Sequence, residues 1–214
     1  MSHADLSTPE PPTGSESEPA APARKRPKPG ERRVQILQAL ATMLEQPGAE
    51  RITTAALAAR LEVSEAALYR HFASKAQMFE GLIEFIEQSV FTLVNQIGER
   101  EAEGQAQAAR IVAMLIQFAE KNPGMTRVMV GDALVYENER LQQRMNQFFD
   151  KIESSLKQCL RAAGEAESAT PTVDAQVRAS MLTSFIVGRL QRFARSGFKR
   201  PPSEHLEASL SRML

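Results

Sequence analysis

From Val34 onward, apolar residues fall three and four positions apart, and this helical period holds almost to the C-terminus. Ile36, Leu37, Leu40 and Leu44 form the first stripe, which stops at Pro47-Gly48. The stretch ITTAALAARL announces a second helix. Thr53 is a good N-cap there, and Ile52 and Leu57 occupy the two positions of a hydrophobic staple. Leu61-Glu62-Val63 reads as a tight turn, after which Ser64 caps a short third helix. Ser74 and Gln77 form a capping box that opens a long fourth helix. Its stripe runs Phe79, Leu82, Ile83, Ile86, Val90, Val94 and Ile97. A fifth helix is expected over roughly Gln105 to Asn122. Breaks fall near Gly104, at Asn122-Pro123-Gly124, at Glu137-Asn138, between Gly164 and Thr172, and at Pro201-Pro202, while Glu99 to Glu103 reads as exposed loop. No run alternates at period two and no internal repeat is visible, so the pattern predicts an all-α fold of about nine helices.

The first 29 residues break this pattern. Seven of the twelve prolines fall there, among Ser, Glu, Ala and Gly, with too little apolar surface to offset the entropy of ordering. Residues 1–29 are therefore expected to be a disordered, acidic, Pro-rich tail that passes into the basic arm RKRPKPGERR. The helical pattern then divides into a small module over 30–76 and a body over 77–214.

Composition adds an ordinary globular balance, 43% hydrophobic and 24% charged over 214 residues, enough chain for a sizeable core. Charge changes the picture more. The formal net charge is zero, but residues 1–23 hold four acids and no Lys or Arg, while residues 24–75 hold ten bases against five acids. A basic module is thus attached to a nearly neutral body. The single Cys159 sits in an apolar helical pattern and reads as packing in a reducing cytoplasm. No apolar run approaches the roughly 18 residues of a membrane span, and the N-terminus lacks a signal-peptide pattern, so a cytosolic chain is expected. His3 lies in the tail and His205 near the end of the chain. No metal-spaced cluster, Gly-rich phosphate loop or nucleophile motif appears, so neither cofactor nor enzymatic activity is expected.

The chemistry concentrates in SEAALYRHFASK, Ser64 to Lys75. Two helices joined by a short turn within about twenty residues make a helix-turn-helix, whose second helix brings its N-terminal residues to base edges in the major groove. Those residues are Ser64, Glu65, Ala66 and Ala67. Two alanines let the backbone approach closely, and a methyl group can touch a thymine methyl. Leu68 and Phe72, four apart, face the body. Tyr69, Arg70 and His71 carry a hydroxyl, a guanidinium and an imidazole within reach of phosphates, and Arg70 also reaches for a base. Lys75, in the first turn of the fourth helix, is badly placed for the helix dipole, which a DNA phosphate would offset.

The stretch ITTAALAARLEVSEAALYRHFASKAQMFEGL resembles the DNA-binding domain of the TetR family of regulators. That resemblance implies a homodimer joined through its last helices, with Thr53, Thr54, Ala66, Ala67, Tyr69, His71 and Lys75 at DNA-contacting positions. Glu62 departs from it, standing where the family's turn usually has Gly. Beyond the module, IEFIEQS, EKNPGMTRVMVGDALVYENERLQQRMNQFFDKIE and RFARSGFKRPP resemble the nucleoid occlusion branch of the family, from about Arg33 to Pro202. This further likeness implies a nucleoid-associated division regulator, with more than one dimer on a site as a possible arrangement. It would bind palindromic chromosomal sites and, while bound, antagonise assembly of the tubulin-like protein FtsZ over the nucleoid. The alternative within the family is a ligand-responsive repressor, which would release DNA when a small molecule enters the helical body.

A partner surface can also be sought in the pattern. Phe85 lies about 120° off the apolar stripe of the fourth helix, on a side shared with Met78 and Gln96. A large aromatic there packs on another helix or anchors a partner. If helices four and five lie side by side, Phe85, Met114, Gln117, Lys121 and Asn122 would line a groove with an apolar floor and a basic rim, suited to an acidic peptide. The resemblance implies FtsZ as its occupant. Arg189, Arg192, Arg195 and Lys199 form a basic stripe that reads as a solvated face.

Overall fold

Each helix start expected from a capping residue carries that cap. In the computed structural model, which describes residues 30–46, 51–164 and 170–214, Thr53 Oγ1 accepts from the Ala56 amide at 3.1 Å and Ser64 Oγ from the Ala67 amide at 3.3 Å. Ser74 Oγ accepts from the Gln77 amide at 3.2 Å. Gln77 Oε1 returns the bond to the Ala73 amide at 2.8 Å, one residue before the cap. The expected tail and the Pro47-Gly48 stop lie outside the described residues.

Nine α-helices and one 3-10 turn, with no strand, make up the described residues, in agreement with the all-α reading. They are α1 (Glu31–Leu44), α2 (Thr54–Arg60), α3 (Glu65–Tyr69), α4 (Lys75–Arg100), α5 (Gly104–Lys121), α6 (Pro123–Met129), α7 (Glu139–Gly164), α8 (Pro171–Arg195) and α9 (Leu206–Met213). The 3-10 turn spans Asp132–Leu134. Helices α1 to α3 form the small module, and α4 begins beside it and runs on into the body, where it packs against α5, α6 and α7.

The core follows the periods read from the sequence. Phe79, Leu82, Ile83, Ile86 and Val90 of α4 are buried, with Val94 and Ile97 half-buried towards its far end. Helix α5 lies between α4, α7 and α8 and buries Ala108, Ile111, Val112, Leu115, Ile116 and Ala119. Burying side chains of this size contributes roughly 1.5–3 kcal/mol each for the Leu, Ile and Val members. Helix α7 contributes Leu141, Met145, Phe148, Ile152, Leu156 and Leu160, one face of a long amphipathic helix laid along α5 and α8.

The module is joined to the body by close backbone contact. Gly124 in α6 sits so near α1 that a Cβ there would lie 2.0 Å from the Ala41 carbonyl oxygen. The Asn122-Pro123-Gly124 break is therefore also a helix start, with Pro123 at the first helical position, where a missing amide costs nothing. Buried Thr126 donates its hydroxyl to the Ala119 carbonyl at 2.8 Å, fastening α6 to the end of α5. Arg127 reaches from α6 to the Leu44 carbonyl at 3.4 Å and pairs with Asp132 at 3.1 Å.

Several local expectations are revised. Gly104 is not a loop residue but the first residue of α5, buried so close to the Cys159 carbonyl that no larger side chain fits. Glu99 belongs to the last turn of α4, and Glu103 is the N-cap of α5, accepting from the Gln105 and Ala106 amides at 2.8 and 2.5 Å. A Glu-rich run between helices here supplies a cap rather than a purely exposed loop. Met78, expected beside Phe85, is fully buried. In the basic stripe, Arg189 stacks over Phe185 at 4.9 Å and donates to Ser209 Oγ at 3.3 Å, tying α8 to α9, whereas Arg192, Arg195 and Lys199 are exposed.

Candidate nucleic-acid interface and partner groove

The reading helix α3 has only five residues, so its position depends on what holds its two ends. At its start, Thr54 donates its hydroxyl to Glu65 Oε2 at 2.6 Å, linking the first turns of α2 and α3. At its end, Leu68 and Phe72 are each 1% exposed and anchor the helix on the body, as expected. Arg33 of α1 donates to the His71 carbonyl at 2.9 Å and lays its guanidinium 4.1 Å above the Phe72 ring. Between α2 and α3, Glu62 adopts φ 55, the left-handed conformation that favours Gly.

These anchors leave some of the remaining candidate residues fully exposed and others only partly so. Thr53, Ser64 and Ala66 are exposed, and Thr54 and Ala67 are half-buried. The Thr53 and Ser64 oxygens accept capping bonds, which leaves their hydroxyl protons to donate outwards. Tyr69, Arg70 and His71 do not share one helix. Tyr69 is the last residue of α3 and is 45% exposed, and Arg70 and His71 lie in the turn that follows. A fan of side chains at a helix end spreads three polar groups more widely than a helical face would.

Lys75 is placed differently. It is the first residue of α4 and only 24% exposed, its ammonium paired with the Glu137 carboxylate and lying 5.7 Å from the Phe79 ring centroid. Sequence reasoning missed Glu137, because a partner 62 residues away leaves no local signal.

A groove does lie between α4 and α5, but nearer the end of α4 remote from α3 than the sequence suggested. It is a cleft of about 330 Å³ lined by Leu93, Gln96, Ile97 and Arg100 of α4 and by Met114 and Gln117 of α5, among others. Met114 and Gln117 were anticipated; Phe85, Lys121 and Asn122 do not line it. Phe85 is 48% exposed, so it is no core residue, and it sits two helical turns before Leu93, about 12 Å along the axis. Asn122 turns its amide back to the Phe118 carbonyl at 2.7 Å and serves the α5–α6 junction. The groove's bases are Arg100 and Arg110, the latter 2.9 Å from Glu101, rather than Lys121. Leu93 is 38% exposed although its spacing puts it within the angular range of the α4 stripe, so periodicity carried no signal that it would line the cleft.

A third surface runs along α8. Val173, Val177 and Met181 are 60%, 53% and 53% exposed, and Ser184 and Gly188 continue the same face. Its opposite face buries Ala175, Ala179, Leu182, Ile186 and Leu190. Among the described residues, no helix is long and apolar enough to cross a membrane.

Comparison with known proteins places these features in a family. Residues 36–82 match the family described as bacterial regulatory proteins, tetR family, and residues 104–213 match the tetracyclin repressor-like C-terminal domain of SlmA-like type. The chain is 53% identical to the nucleoid occlusion factor SlmA of Idiomarina loihiensis over 177 residues, covering 83% of this chain and 90% of that protein. It is 50% identical to SlmA of Vibrio vulnificus over 181 residues, covering 84% and 92%. In fold it is similar to the fatty acid degradation regulator FadR of Bacillus halodurans, with a TM-score of 0.70 at 14% identity, covering 89% of this chain and 96% of that one.

Proposed function

The chain belongs to the TetR family, in the branch whose curated members are named nucleoid occlusion factor SlmA, and from this premise we propose that it is a DNA-bound regulator of cell division. As a homodimer it binds palindromic chromosomal sites, associates with the nucleoid, and while bound antagonises FtsZ assembly, so that no septum forms over the chromosome. The observation that carries this reading is the reach of the similarity. An identity near one half spans more than four fifths of the chain, and a branch-specific match covers the body, not only the widespread reading module.

In this reading the exposed and half-buried residues around α3 grip the duplex. Ser64, Ala66 and Ala67 lie at the major groove, Tyr69, Arg70, His71 and Lys75 meet phosphates, with Arg70 also able to reach a base, and Thr53 and Thr54 take further DNA-contacting positions. The dimer forms through the exposed apolar face of α8, which would otherwise leave three large side chains in water. The α4–α5 cleft, with an apolar floor of Leu93, Ile97 and Met114, bases at Arg100 and Arg110 and one acid, Glu101, paired with Arg110, takes an acidic segment of FtsZ, and Phe85 lies beyond the end of the cleft nearer α3. The test is FtsZ polymerisation with the purified protein, in the presence and absence of a specific palindromic duplex. Antagonism that requires the duplex is expected. FtsZ that assembles unchanged with both present would sink the reading, and release of the duplex by a small molecule would favour the repressor.

A further inference from the structure

Three ion pairs join α4 to the segment that begins just before α7. Glu80 pairs with Arg140 at 2.5 Å and Glu87 with Arg144 at 2.5 Å, each with the acid on α4 and the base on α7. The third, Lys75 with Glu137, has the opposite polarity and lies at the end of α4 nearest the reading helix. Glu137 is held in place by its surroundings. Its amide donates to the Leu134 carbonyl at 3.0 Å, and Ala133 and Leu134, four and three residues before it, are buried, although Val135 and Tyr136 between them are exposed. Its side chain is 10% exposed.

A shielded carboxylate paired with a lysine that stands six residues beyond the end of the reading helix is an odd choice for a protein that must approach a polyanion, since an acid near phosphate costs binding energy. It becomes intelligible if the carboxylate occupies the place of the phosphate. We propose that Glu137 is an internal surrogate for a DNA phosphate: it holds the Lys75 ammonium in the free protein and gives it up to the backbone when duplex binds. Glu137 is then a positioning residue for DNA binding. It sets how much Lys75 contributes, and it ties occupancy of the duplex to the 132–138 segment and so to the body. The exchange also lowers the electrostatic gain from Lys75, because the released carboxylate remains near the phosphates. The inference rests on the reading that Lys75 meets a phosphate, and its test separates the two.

The test is a cycle of four proteins: native, Glu137→Gln, Lys75→Ala and the double variant. Binding to specific and random duplexes is titrated over a range of salt, with circular dichroism to confirm folding. Glu137→Gln keeps the shape of the side chain and frees the ammonium. It should tighten binding to both duplexes by about three- to tenfold at low salt and steepen the salt slope by up to about 0.9. Lys75→Ala should cost several times more affinity in the Glu137→Gln background than in the native one, because only there is the ammonium fully available. Equal costs in the two backgrounds, or a Glu137→Gln variant that binds no tighter, would overturn the surrogate role while leaving Lys75 a phosphate contact. If Lys75→Ala costs nothing even when Glu137 is Gln, Lys75 does not meet DNA, and both ideas fall.

Discussion

At the scale of single residues, the structure separates positions set by backbone from those set by chemistry. Glu62 has φ 55 in the turn between α2 and α3, where a side chain with a Cβ is strained. Glu62→Gly should therefore raise stability by up to about 1 kcal/mol, read as a shift in the denaturation midpoint without a change of slope. A lower midpoint would mean that the Glu62 side chain gives back more than the strain costs. Cys159 is half-buried against the start of α5, and burial pushes its thiol pKa up. An acid whose folded pKa is raised is protonated in the folded state where the unfolded chain has lost its proton. Stability should thus be unaffected below the unfolded thiol pKa, about 8.5, and decline as pH rises through and above it. Cys159→Ala should flatten that part of the alkaline limb; an unchanged limb would exclude the thiol as its cause. Exposed Ala66 belongs to the chemistry. Ala66→Leu should weaken the specific site more than random duplex by crowding the groove, and equal losses on both would remove Ala66 from the base-reading surface.

At the scale of elements, much was legible because the signals were local. The caps at Thr53, Ser64 and Ser74 and the stripe of α4 depend on residues within one or two turns, and all appear where the sequence puts them. What escaped was decided by distant packing. Gly124 looks like a loop breaker until α1 lies across it, and Gly104 looks like one until α7 does. The ion pairs of α4 with Arg140, Arg144 and Glu137 span 57 to 62 residues, and no periodicity encodes them. The α4–α5 cleft was half legible for the same reason: Met114 and Gln117 were found from α5's own faces, but which part of α4 they meet is set by how the two helices pack. The α1–α6 junction offers a direct check. Gly124→Ala would thrust a methyl into the Ala41 carbonyl, and because the obstacle is backbone rather than a yielding side chain, the cost should be about 1–3 kcal/mol. A variant of native stability would show that α1 can move away freely, and would weaken the case for a tightly seated module.

At the scale of the whole molecule, the proposed function needs two surfaces that work at once, and α4 separates them. Its first turn stands beside the reading helix, and Leu93 to Arg100 at its other end line the cleft. From Lys75 to Leu93 is 18 residues of continuous helix, about 27 Å at 1.5 Å per residue. Mutations at the far end should therefore spare the near one, whereas loss of the dimer should not. Met181→Glu places a charge in the exposed apolar face of α8 and should give a folded monomer that binds the palindrome poorly, since each protomer offers one five-residue reading helix to a half-site. A dimer that survives in sedimentation would move the interface elsewhere. Leu93→Glu and Met114→Glu make the complementary case, because both put a carboxylate on the floor of a cleft meant for an acidic segment. Loss of an apolar anchor together with like-charge repulsion should cost about 2 kcal/mol or more, roughly thirtyfold in affinity for FtsZ. DNA affinity and its salt slope should stay native. Phe85→Ala distinguishes how far the contact extends. A loss comparable to that of Leu93→Glu would carry the FtsZ surface two turns along α4 towards the DNA, and a native response would confine it to the cleft. If Leu93→Glu and Met114→Glu, folded by circular dichroism and saturated with specific duplex, both still antagonise FtsZ at native strength, then the α4–α5 cleft is not the partner site.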